Sequence, residues 1–157
     1  MSFLETFPDN PTKTIVKTAT ESRVNTVTSA IDSELKADLE ASTSYSFTAF
    51  LAVRASGAAP LNNPDFRVQI VAPVGTTLLA EIAREDNSSN IGTMTAVNTD
   101  LSGLAQNGGL KNYVITGTIT MGATAGEVGI GWAQDILDAD TNTDLQANSH
   151  LTFIKVI

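Results

Sequence analysis

The 157-residue chain contains no cysteine and a single histidine, His150. Without thiols it can form neither a disulfide framework nor a thiolate metal site, so its stability must come from packing and association. Without a second histidine or a cysteine, His150 cannot complete the usual zinc set or a cysteine–histidine pair. A serine triad would need a nucleophile elbow, and no Gly-x-Ser-x-Gly is present. Basic residues are also scarce: nine Lys and Arg stand against seventeen Asp and Glu, for a formal net charge of −8. A chain so acidic, with its cations scattered, is repelled by phosphate backbones, and this argues against nucleic-acid binding. No run of about 18 apolar residues exists, so no transmembrane helix is expected. The first residues, Met1-Ser2-Phe3-Leu4-Glu5-Thr6-Phe7-Pro8, lack the basic start and apolar centre of a secretion signal, and synthesis in a cytoplasm is expected.

What is present is strand alternation. Tyr45, Phe47, Ala49, Leu51 and Val53 share one face, opposite Ser44, Ser46 and Thr48. Phe66, Val68 and Ile70 alternate with Arg67 and Gln69 and lead to the turn Ala72-Pro73-Val74-Gly75, read with proline second and glycine fourth. Thr77 to Ala83 is a further strand. Ile115, Ile119 and Met121 oppose Thr116, Thr118 and Thr120, and Gly117 among the apolar set predicts a bulge or the close approach of another backbone. Val128, Ile130 and Trp132 alternate with Gly129, Gly131 and Ala133. Between Glu21 and Glu40 two short strands around Ile31-Asp32-Ser33 compete with a helix over Ile31, Leu35 and Leu39. Met94 to Thr99 suggests a strand, and Leu101 to Gly109 a loop or a turn of helix. Short strands at regular spacing with polar turns between them spell an antiparallel sandwich.

Two segments bear on function. Residues 1–20 read as an extended arm preceding a domain at 21–157. Pro8 and Pro11 break any regular element there, while Phe3, Leu4, Phe7, Ile15 and Val16 are apolar residues suited to docking on a partner by strand addition; the alternative is a frayed end. The last strand, Leu151-Thr152-Phe153-Ile154-Lys155-Val156-Ile157, is apolar on both faces. A sheet face turned to water would carry polar residues, so Ile154 and Val156 are expected to meet a neighbouring subunit while Leu151 and Phe153 meet the core.

Other motifs fall short of chemistry. Asp138, Asp140, Asn142 and Asp144 begin a calcium-loop pattern, but Thr143 stands at its glycine position and Ser149 at its glutamate position. No metal or other cofactor is expected. Gly108-Gly109 and the glycines of 126–131 are followed by neither a helix nor a lysine, leaving phosphate binding unsupported. Trp132, Tyr45 and Tyr113 are candidates for stacking on a sugar, though a tryptophan inside an alternating apolar strand belongs more naturally to a core.

Several short pieces in order carry a resemblance: Lys17-Thr-Ala-Thr-Glu21-Ser22-Arg23, Asp32-Ser-Glu-Leu35, Thr43-Ser-Tyr45-Ser-Phe47, Ala72-Pro73-Val-Gly75, Gly117-Thr-Ile119, Ala125-Gly126, Trp132-Ala133-Gln134 and Ser149-His-Leu151. Together they span residues 17–157. The chain resembles tailed-phage and prophage virion proteins with a jelly-roll domain, similar in turn to the trimeric heads of the tumour-necrosis-factor and complement type. It departs from that pattern at Ala41-Ser42-Thr43, where an asparagine often precedes the threonine. The resemblance implies an all-β, antiparallel jelly-roll sandwich with an extended N-terminal arm, trimeric and non-enzymatic. Its expected partners are two copies of itself, the major capsid protein and neighbouring decoration subunits; no nucleic acid or membrane is expected. The absence of a fibre shaft or coiled coil before the domain favours a capsid decoration or cement protein, located on the virion surface after synthesis in the host cytoplasm. A receptor- or carbohydrate-binding fibre tip is the alternative.

Overall fold

The computed structural model describes residues 12–57, 64–85, 87–104 and 109–156, with backbone alone at 87–90. Phe3, Leu4, Phe7 and Ile157 therefore lie outside the described residues.

Every strand pairing is antiparallel. In chain order the strands are β1 (Thr12–Val16), β2 (Glu21–Arg23), β3 (Ala30–Leu39), β4 (Ser44–Gly57), β5 (Phe66–Val71), β6 (Thr77–Arg84), β7 (Asn87–Met94), β8 (Leu101–Leu104), β9 (Leu110–Thr120), β10 (Gly126–Gln134), β11 (Thr141–Leu145) and β12 (His150–Lys155). The larger sheet runs β1-β12-β4-β9-β6-β7, with β11 joining β4 to β2. The smaller runs β3-β10-β5-β8. From β3 to β6 and from β8 to β11, successive strands change sheet at each step, and β1 lies beside β12. This is the expected jelly-roll sandwich.

The alternating faces meet between the sheets. Tyr45, Phe47, Ala49, Leu51 and Val53 of β4 pack with Ile115 and Ile119 of β9 against Phe66, Val68 and Ile70 of β5 and Val128, Ile130 and Trp132 of β10; all are buried. Phe66 lies between Tyr113 and Trp132, its ring centroid 5.8 Å and 6.2 Å from theirs. Of the two readings offered for Gly117, the close approach of another backbone holds: a Cβ there would collide with the Leu79 carbonyl oxygen and with Ala80.

Departures from simple alternation have local causes. Residues 31–33 lie within β3 rather than separating two strands, and no helix forms over 31–39. Opposite β10 the register jumps, from Lys36 facing Gly129 to Ile31 facing Gly131, so β3 bulges and its pattern looks irregular in one dimension. After β2, Asn25 takes a left-handed φ of 50° and turns the chain before Thr26 and Thr28 can extend the strand. β7 ends at Met94, short of the strand expected to reach Thr99. Asn98, with φ 56°, instead brackets Ala72 with amide bonds of 2.9 and 3.1 Å. Residues 101–104 form β8 rather than a loop or helix, with Leu101 packed on the core. The 73–76 turn closes from the Thr76 N–H to the Pro73 carbonyl, 3.3 Å. Gly75, at φ 88°, is thus its third residue rather than its fourth.

Candidate functional site

The residue types able to carry chemistry are dispersed. His150 lies on the outer side of β12, stacked on Phe50 with ring centroids 5.3 Å apart, and its Nδ1 is 3.3 Å from the Asn148 carbonyl oxygen. Asp138 Oδ1 accepts from the N–H groups of Asp140 and Thr141, at 2.8 and 3.1 Å, and so organises a turn. Asn142 and Asp144 belong to β11, and buried Asp144 accepts from the Ser56 hydroxyl at 2.5 Å. Among the described residues no three His, Asp or Glu side chains gather as a metal set. Trp132, Tyr45 and Tyr113 are buried, which removes them as sugar platforms.

Several of the short sequence pieces converge on a buried polar network between β1, β2, β3 and β10. The bulge in β3 bends the chain so that Asp32 Oδ1 accepts from the N–H groups of Glu34 and Leu35, both at 2.9 Å. That turn holds the carboxylate inside, where Lys17 Nζ approaches at 2.8 and 3.0 Å and Trp132 Nε1 donates at 3.1 Å. The side chains of Lys17 and Asp32 are fully buried. A charge so placed must be paired and hydrogen-bonded, or burial would be prohibitive; both conditions are met.

A second layer of charge surrounds the pair. Arg23 lies over the Trp132 ring, 4.1 Å from its centroid, and donates to the Trp132 and Ala30 carbonyls. Its Nη2 also meets Glu21 at 2.7 Å. Burial pushes the Glu21 carboxyl up, but hydrogen bonds from Arg23 and from the hydroxyl and N–H of Ser33 outweigh it and hold the pKa at about 2. Glu34 accepts from the Thr18 hydroxyl and N–H at 2.6 and 2.8 Å, which lowers its pKa as well. Gln134 bridges the Thr26 N–H and the Thr141 carbonyl, and the Ser149 hydroxyl receives the Ala52 N–H. Segment 17–23 is thus fastened to both sheets immediately after β1.

The other feature is the outer face of the larger sheet. Register aligns its side chains in transverse rows. One row reads Thr14, Thr152, Thr48, Thr116, Glu81, Thr93 across six strands. Its neighbour reads Thr12, Ile154, Ser46, Thr118, Leu79. A third pairs Ser44 with Thr120 and Thr77, and a fourth runs Val16, His150, Phe50, Val114, Ala83. Hydroxyls pair across strands, Thr14 with Thr152 at 3.1 Å and Ser44 with Thr120 at 2.9 Å. Across these four rows Glu81 is the single carboxylate among the described side chains, and no Lys or Arg occurs.

Of the residues singled out from the sequence, Val16 is 50% exposed, Ile154 47% and Val156 53%, and Val16 and Ile154 stand on this face. Ile15 points the other way and packs against the core. Sequence reasoning missed the exposed Leu79. Leu79 is 60% exposed and shares a transverse row with Ile154, an alignment that only the strand register reveals.

No protein-family description matches the chain, and neither does any curated protein. Among solved structures, the infectious bursal disease virus Gt strain matches at 12% identity with a TM-score of 0.21, covering 93% of this chain and 38% of that one. The VP2 subviral particle of the same virus matches at 11% and 0.23, covering 93% and 41%. The Gx strain matches at 13% and 0.22, covering 92% and 40%. The chain spans about two fifths of the length of those proteins. TM-scores this low fall short of a shared fold, and the architecture rests on the strand pairing itself.

Proposed function

We propose that the chain is a non-enzymatic structural protein of a virion: a trimeric capsid decoration protein that bridges shell subunits. The observation that carries this reading is the charge-poor outer face of the larger sheet on a chain of net charge −8. A surface kept for solvent would carry charges. A face of hydroxyls with exposed Ile154, Leu79 and Val16 is suited to flat contact with protein. The short sequence pieces that, in order, resemble phage virion jelly rolls support the same reading, and several of them build the buried network that fastens segment 17–23. Binding only the assembled lattice would stabilise it by mass action, and three linked copies would make weak contacts collectively tight. The fibre-tip alternative loses its aromatic platform to burial.

The test is co-sedimentation with purified shells of the virus that encodes the chain, stripped of surface proteins. We expect saturable binding and a higher shell melting temperature. Shells that neither bind the protein nor gain stability would refute the assignment.

A further inference from the structure

We infer that Lys17 and Asp32 condense in the folded chain to an intramolecular amide, with Glu21 as the proton relay. The ion pair of the buried network is the state that precedes the bond. Both side chains are fully buried, so the reacting groups face each other shielded from solvent. Lys17 Nζ lies 3.0 and 2.8 Å from the two Asp32 oxygens. So even an approach sets it roughly 3.3 Å or less from Cγ, within the ~3–3.5 Å of a near-attack arrangement. Groups held in that way reach effective molarities far above any concentration in solution. This offsets the cost of expelling water that keeps free amines and acids from condensing. Glu34 is a poorer acceptor: its Oε1 is 3.7 Å from Nζ, and both its oxygens are taken by Thr18 and Ala19.

The hydrogen bonds around Asp32 give its two oxygens different roles. Oδ1 accepts from the N–H groups of Glu34 and Leu35, both at 2.9 Å. Two fixed backbone donors stabilise the oxyanion of a tetrahedral intermediate, so Oδ1 is the oxygen that stays. Oδ2, which accepts from Trp132 Nε1 at 3.1 Å, is the one that leaves. Nζ gives its first proton to Oδ2 and, as the free amine, attacks Cγ through its lone pair. The C–N bond forms, and a second Nζ proton passes to Glu21 Oε2, 3.4 Å away. Glu21 is held for this by Arg23 at 2.7 Å and by the Ser33 hydroxyl at 2.9 Å. It returns the proton to the Oδ2 hydroxyl as the C–Oδ2 bond breaks with its electron pair, and water departs. An ammonium and a carboxylate thus become an amide and water, with no other reagent consumed. The bond joins the segment after β1 to the bulge of β3, a covalent staple in a chain without thiols. It does not depend on the virion reading.

The test is the intact mass of the full-length protein, purified folded and then denatured. We expect a mass lower than the sequence mass by one water. Trypsin cuts after Lys13, Arg23 and Lys36 but not after a linked Lys17, so residues 14–23 and 24–36 should be recovered as one branched peptide. A wild-type protein that keeps its full mass after prolonged incubation at neutral pH overturns the inference. So does a dehydrated but unbranched peptide 24–36, which would mark a succinimide between Asp32 and Ser33 instead. Lys17→Arg and Asp32→Ala variants should show their full masses whether or not they fold, and loss of water from either would also overturn it. In a Glu21→Gln variant that still melts cooperatively, linkage should be slower by about 100-fold. Linkage there at the wild-type rate would overturn the relay.

Discussion

At the scale of single residues, the Lys17–Asp32 pair is tightly constrained, both side chains being fully buried. As an ion pair it adds little net stability, because desolvating two charges offsets most of their attraction. Its value lies in exclusivity: wrong registers of segment 17–23 or of the β3 bulge would leave a buried charge unpaired. Replacing Lys17 by Met should therefore cost about 3–5 kcal/mol, since Asp32 would be stranded. A Lys17→Met/Asp32→Leu double variant should recover part of this loss, despite an unpaired Trp132 Nε1. Chemical denaturation of the two single variants and the double variant measures the coupling. Additive losses would show that the two side chains act independently. None of this was visible in one dimension. The sequence marked Lys17 and Asp32 only as members of two short ordered pieces; their pairing depends on the bulge that turns the carboxylate inward to Trp132 Nε1.

At the scale of elements, legibility followed regularity. β5 alternates strictly, and the large inward residues of β4, β10 and β12 also recur at every second position, so they could be named from sequence because a buried face imposes a period of two. β3 and β8 were harder. A bulge shifts the period midway along β3, and β8 is four residues long with a left-handed Gly103 at φ 74°. The arm expected over residues 1–20 contains two different environments where it is described. Residues 12–16 pair with β12 as an edge strand, and Lys17 is buried beyond them. Truncations should separate these parts. Removal of residues 2–10 is expected to leave the melting temperature nearly unchanged while lowering shell occupancy, because Phe3, Leu4 and Phe7 each supply about 1.5–3 kcal/mol when buried on a partner. Removal through Lys17 should also destabilise the fold. If the shorter truncation decorates shells as well as the full chain does, the attachment surface is not the apolar start of the arm.

At the scale of the whole molecule, acidity and the charge-poor sheet face act together. Seventeen carboxylates against nine cations keep copies apart in dilute solution, and the outer face of the larger sheet supplies few ion pairs that could draw them together. Assembly of the proposed trimer should therefore respond to salt in the opposite sense to an interface held by salt bridges. Added salt screens the general repulsion, with a Debye length falling from about 30 Å at 0.01 M to about 8 Å at 0.15 M. It has little attraction between fixed charges to weaken at the face itself. Sedimentation equilibrium across that range should thus show oligomers persisting to lower protein concentration as sodium chloride rises. Sodium sulfate, at matched ionic strength, should strengthen them further by favouring burial of apolar surface. A dissociation constant that grows with salt would mean that ion pairs hold the copies together. The interface would then have to be sought where the charges lie, along the Lys36–Glu127 or Lys155–Glu40 margins, and not on the rows of threonine.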